Sequence, residues 1–134
     1  MKRFIFLIAI TVLIITGCEK ANNELIKISI INLITNPEKY HNKDITIIGV
    51  GNLQFEGNKI CLSKSDVEYG ISSNCLWIEL NEKISYEEAK TLNGKYIIIE
   101  GTFDMKNNGH FGMYPGAIVD ITRYELWEDK FVSQ

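Results

Sequence analysis

Cys18 sits where a thiol acquires lipid. Lys2 and Arg3 give a short positive start, and Phe4 to Ile15 is apolar apart from Thr11. Ile15-Thr16-Gly17 then places an apolar residue and two small ones directly before the cysteine. That order is a secretory leader ending in a lipobox-like site, so the expected chemistry is removal of residues 1–17 and lipid on Cys18. The apolar run is about a dozen residues, short of the roughly 20 that a spanning helix needs. A cleaved leader is therefore favoured over a permanent transmembrane anchor. Lipid contributes ~0.8 kcal/mol per buried methylene, and several chains on one cysteine make a stable anchor. The expected location is a membrane surface outside the cytoplasm.

The chain has three cysteines. With Cys18 assigned to lipid, Cys61 and Cys75 remain as an even pair. In an oxidising compartment that remainder is most simply a structural disulfide, which closes a loop of about 15 residues for ~3 kcal/mol in the chain-entropy account. Two buried free thiols are the alternative. The pair is not CxxC, which argues against a thioredoxin-like centre. Cysteine and histidine are too few for structural zinc, and no local signature marks either thiol as a nucleophile with His110 as its base.

The other chemistry-bearing residues are scattered. His41 and His110 lack HxxxH or HxH spacing, so no metal site is expected from them with Asp44, Asp104 or Asp120. Asp104-x-Lys106-x-Asn108-Gly109 starts like a calcium loop, but Lys106 takes a ligand position and Pro115 stands where the loop needs Glu. Glu100, Asp104 and His110 are the residues a small hydrolase would use. Paired carboxylates for glycoside chemistry need a set separation across a cleft, which spacing along the chain does not supply. No cofactor is expected. Gly109-His110-Phe111-Gly112-Met113-Tyr114-Pro115-Gly116 is the oddest segment: either a ring-lined rim that contacts a ligand, or a connection that needs glycine for its backbone angles. The binding candidates are His110, Phe111, Tyr114 and Trp77, with Tyr96, Tyr124 and Trp127 as further rings outside the barrel or capping its ends.

Charge narrows the partners. There are 14 Lys+Arg and 17 Asp+Glu; Lys2 and Arg3 leave with the leader, so 12 face 17 and the remainder carries −5. Nucleic acid and anionic membrane surfaces both need clustered cations, so neither is an expected partner.

Around these residues the elements read as follows. Residues 18–25 are a lipidated cysteine and a short polar tether, and 26–134 form one domain. Asn36-Pro37-Glu38 suits a helical turn, with Asn36 as its cap and Pro37 in the first position. Asp44 to Phe55 is a strand, with Ile45, Ile47, Leu53 and Phe55 on one face and Gly49 and Gly51 marking a bend or bulge. Glu56-Gly57-Asn58 is a turn, Lys59 to Ser63 a return strand, and Lys64 to Ser73 a loop with a helical turn. Asn74 to Leu80 is a strand with Leu76, Ile78 and Leu80 facing one way and Trp77 and Glu79 the other. Ser85 caps a short helix in which Glu88 completes a capping box, and Asn93-Gly94 ends it. Lys95 to Asp104 is the clearest strand. Lys106 to Gly109 is a hairpin-type turn, and Ala117 to Trp127 is the last strand, with Val119 and Ile121 inward. Lys43–Gly49 and Lys95–Gly101 share K-x-I-x-I-x-G, so two strands enter and bend alike.

Five bent strands with a helix between the third and fourth is the plan of the OB-fold, a small partly open barrel. Asn36-Pro37-Glu38-Lys39-Tyr40, Lys43…Gly49, Gly94-Lys95…Glu100-Gly101-Thr102-Phe103 and Gly109-His110-Phe111-Gly112…Gly116-Ala117-Ile118 resemble a group of small bacterial envelope proteins with OB-like barrels. Many of them carry signal or lipoprotein leaders. The resemblance spans residues 28–127 and implies a mainly β, five-stranded OB-like barrel with one or two short helices, and no catalytic residue. The function expected is non-enzymatic binding close to the membrane of the bacterial cell envelope. The expected partner is an envelope protein, before a glycan or small molecule; a small envelope hydrolase is the alternative.

Overall fold

The computed structural model describes residues 24–128. The leader, Cys18 and residues 129–134 lie outside them. Within this range the chain is mainly β, a closed five-stranded OB-like barrel with short helices. In order, it runs β1 (Ile26–Lys27), α1 (Ile30–Thr35), α2 (Pro37–Tyr40), β2 (Asp44–Asn52), β3 (Lys59–Cys61), α3 (Lys64–Glu68), β4 (Cys75–Ile78), α4 (Tyr86–Ala89), β5 (Tyr96–Asp104) and β6 (Ala117–Leu126). No described helix is long and apolar enough to cross a membrane.

Long, β-branched β2 belongs to both halves of the barrel. Its first part runs antiparallel to β5, from Asp44↔Thr102 to Val50↔Tyr96, and its last part runs antiparallel to β3, from Val50↔Cys61 to Asn52↔Lys59. The bend lies at Gly49, where an added Cβ would stand 2.7 Å from both the Cys61 carbonyl oxygen and Ile30 Cδ1. Only a glycine lets the strand turn beneath its neighbour there. β4 pairs with β6 in parallel, Trp77↔Ala117 and Ile78↔Ile118, which closes the barrel. β1 is an added two-residue edge on β2.

The two K-x-I-x-I-x-G segments pair with each other. Ile45 lies opposite Gly101, Ile47 opposite Ile99, and Gly49 opposite Ile97. The shared pattern is thus a local two-fold, each isoleucine-rich strand bending where its partner begins. Gly101 meets a bulge. Glu100 pairs with Arg123 but Thr102 pairs with Val119, so residues 120–122 of β6 all oppose one glycine. A Cβ on Gly101 would be 2.6 Å from the Val119 carbonyl oxygen. Asp120 takes a φ of 48° there.

This bulge corrects the parity expected for the last strand. Ile118 and Ile121 are both fully buried, three residues apart, and Val119 is only half-buried, because the extra residues shift the alternation. Phe55 is a second correction: β2 ends at Asn52, Glu56 takes a φ of 55°, and the Phe55 ring swings out to 88 % exposure. The turn expected at Lys106–Gly109 is a longer connection, 105–116, containing a 3-10 turn at His110–Gly112. The dense apolar segment before α2 forms α1. Ser29 caps it by accepting from the Asn32 amide, and its Ile30 and Leu33 are buried. Asn36 stands at the start of α2 without a side-chain capping bond; its amide donates to Thr35 instead.

α4, between β4 and β5, begins at Ser85, whose hydroxyl accepts from the Glu88 amide at 3.4 Å. Asn93, just beyond, grips the end of β2 across the barrel: its Oδ1 accepts from the Leu53 amide at 2.7 Å and its Nδ2 donates to the Leu53 carbonyl at 2.8 Å. The interior is filled largely by isoleucine, with Phe103, Leu33, Leu53 and Leu76. Tyr124, for which the sequence left a place outside the barrel or at its end, joins this core with its hydroxyl unpartnered. Burial pushes that phenol far above its ordinary ionisation range.

Candidate functional site

Side chains of β3 and β4 alternate between the barrel interior and an outer face. Ile60, Leu76 and Ile78 point in, while Cys61, Cys75 and Trp77 join a second cluster outside. Cys61 and Cys75 are directly paired across the two strands and are joined by a disulfide. Both are fully buried, because two pieces of chain cover them: Val67 from α3 and Tyr114 from the 105–116 connection.

α3 is held by its own polar residues. The Ser63 hydroxyl donates to Asp66 Oδ2 at 2.7 Å and accepts from the Asp66 amide at 3.2 Å, and Asn74 Nδ2 donates to Asp66 Oδ1 at 2.8 Å. Those bonds, Ser63 first and Asn74 second, hold the Asp66 carboxyl below the ordinary carboxylate value.

The 105–116 connection is held as closely. Asn108 Nδ2 donates to the Tyr114 carbonyl at 2.8 Å while the Tyr114 amide donates to the Asn108 carbonyl at 3.1 Å. The Tyr114 ring lies 5.5 Å from the Trp77 ring at 52°. Gly109 has φ 64° and ψ −158°, and a Cβ on it would stand 2.7 Å from the indole. At the root of the connection, His41 Nδ1 accepts from the Met105 amide at 3.3 Å and lies 3.6 Å from Asp104 Oδ1. At its tip, His110 Nε2 lies 3.5 Å from Glu56 Oε2, on the turn between β2 and β3.

Two loops of the barrel meet at Glu56 and His110, and each carries a largely exposed ring, that of Phe111 lying 3.9 Å from the His110 ring. Phe55 is 88 % and Phe111 84 % exposed, and Met113, two residues after Phe111, 54 %. Phe111 has a φ of 54°, uncommon for a residue with a side chain. Glu56, next to Phe55, also has left-handed backbone, with a φ of 55°. In an OB-fold these two loops and the outer face of the second and third strands form the usual binding surface. Here the disulfide, α3 and Tyr114 plug the strand face, which leaves the loop tips as its accessible part.

The four expected binding residues fall on this one region, in two roles. Trp77 and Tyr114 are packed into the floor; His110 and Phe111 form the rim. Phe55 and Glu56 were not among the expected site residues. Their signal was Phe-Glu-Gly-Asn, a turn sequence with a large ring at its start, which parity alone assigns to the core. The residues of the hydrolase alternative are not brought together: Asp104 faces His41, Glu100 accepts from Arg123 at 3.1 Å, and His110 faces Glu56. Among the described residues no three His, Cys, Asp or Glu side chains are placed to hold a metal ion.

The fold is an OB-like barrel whose strand face is plugged and whose two loop tips stay exposed. The chain matches no protein-family model and no curated protein.

Proposed function

We propose that the protein is a non-enzymatic binding module of the bacterial cell envelope, anchored to a membrane by lipid on Cys18 and engaging an envelope protein through its loop tips. The observation that carries this reading is the pair of exposed phenyl rings, Phe55 and Phe111, on loops that meet at Glu56 and His110 beside a disulfide-backed floor. Aromatic residues, phenylalanine included, are enriched at the core of protein interfaces, and a loop already held in place costs less to order on binding. The leader, the lipobox-like site and the short polar tether support a membrane-proximal position. The acidic balance disfavours nucleic acid.

The test is cross-linking in intact cells, then purification through a C-terminal tag and mass spectrometry, with Cys18→Ala as the mislocalised control. One stoichiometric partner that disappears in the control is the expected result. Absence of any partner above background would remove the protein-binding reading and turn attention to envelope glycans and small metabolites.

A further inference from the structure

The chain has two histidines, and both brace the connection that carries Phe111. They do so differently. His41 at the root accepts the Met105 N–H through Nδ1, so its neutral ring carries its hydrogen on Nε2. His110 at the tip meets Glu56 at 3.5 Å, a contact without ionic attraction while the ring is neutral.

A proton taken from solvent by each ring acts at a different end of the connection. On His110 it creates an imidazolium against the Glu56 carboxylate, which ties the tip to the β2–β3 turn. On His41 it occupies Nδ1, which can then no longer accept from Met105 and instead faces Asp104 Oδ1 as a donor, 3.6 Å away. We propose that acidification ties the tip of the 105–116 connection, which carries Phe111, to the β2–β3 turn through an ion pair of His110 with Glu56, while at the root His41 exchanges the Met105 N–H for Asp104. This rests on the reading of the Phe111 rim as the binding surface, and adds a proton-controlled setting to it.

The surrounding charges are consistent with that direction. Facing His110 is Glu56 on the turn; Glu79, after β4, accepts from the side-chain amide of Asn107, three residues before His110. Around His41 stand Asp104 on β5, and Lys39, Lys43 and Asp44 along its own stretch of chain. Asp44 accepts from the Thr102 hydroxyl at 2.9 Å, and Asp104 Oδ1 already accepts from the Lys106 amide at 2.9 Å. Each histidine thus has one carboxylate within ion-pair distance. Imidazole is the side chain whose charge changes between about pH 5 and 8.

The experiment is a nuclear magnetic resonance titration of the full chain in detergent micelles across that range, following both imidazoles and the backbone amides. The amides of Glu56, Gly57, Phe111 and Gly112 are expected to shift with the midpoint of the His110 ring, and the Met105 amide with that of the His41 ring. In Glu56→Gln the His110 ring still titrates, and the response of the turn is lost. His110→Gln abolishes the response of the turn and leaves that of Met105. Turn amides that stay flat in the wild-type chain while His110 titrates would overturn the proposal, as would a Met105 amide indifferent to His41. Should either variant fail to fold, the wild-type titration alone decides. A correct titration with no partner recovered by cross-linking would leave this device standing and remove the protein-binding reading.

Discussion

The barrel interior and the outer face of β3 and β4 are two apolar clusters built from alternate residues of the same strands. The interior draws on α1 and on every strand of the barrel, and Phe103, Ile47 and Ile99 have many neighbours to share a loss. The outer cluster is Cys61, Cys75 and Tyr114 with Val67 and Trp77 against them, and one covalent bond takes the place of bulk. The interior decides that the chain is a barrel. The outer cluster decides where two loops stand on it, so damage there is expected to reach the binding surface before it reaches the fold.

The largest expected effect lies inside. Phe103→Ala should lower stability by about 4 kcal/mol, the cost of emptying a fully buried aromatic site, as read by urea unfolding. Loss should be global, with circular dichroism and tryptophan fluorescence falling together. Replacing Cys61 and Cys75 by alanine comes next, at about 3 kcal/mol from the freed loop. Here the two probes should separate: Trp77 emission and exchange of the 105–116 amides change under conditions where the sheet is intact. If sheet and loops were lost in a single step, the division between the clusters would be wrong.

Asp66→Asn sharpens the same contrast, at about 2 kcal/mol near neutral pH for a carboxylate that accepts from Ser63 and Asn74. Because the folded carboxyl ionises below its unfolded value, its contribution is present above about pH 4 and is lost as pH falls through the folded value. The variant should therefore lose less stability in acid than the wild type does. Tyr124→Phe is the smallest effect and has the opposite sign. It removes a buried hydroxyl without a partner and should add about 1 kcal/mol. The folded phenol ionises above its unfolded value, so the wild type loses stability as pH rises beyond about 10. In the variant the part of that alkaline loss due to Tyr124 should be absent, as thermal melts across that range would record.

Much of the barrel was legible because the period of two is strong in its strands. Ile45, Ile47, Leu76 and Ile78 are buried as alternation requires, and the echo of K-x-I-x-I-x-G reported two strands that turn out to be partners. Alternation failed where the backbone departs from it. Val119 lost its inward place to the bulge opposite Gly101, and Phe55 lost its place to a left-handed turn one residue later. α1 was hidden because Ile30 to Ile34 is a dense apolar run, which periodicity does not separate from a strand. The disulfide was legible as the even pair that remains when Cys18 is set aside. The site was half legible: rings and glycines before the last strand marked the rim, but the opposite loop is 40 or more residues away in sequence, and only the closed barrel brings Glu56 to His110.

The most direct test of the central claim is a photo-reactive amino acid placed in turn at 55, at 111 and, as a control on a different part of the surface, at 96, in intact cells. Tyr96 is exposed and lies on β5, outside both loops. The account predicts one and the same protein adduct from 55 and 111, and none from 96. Adducts of equal yield from all three positions, or none from 55 and 111, would contradict it.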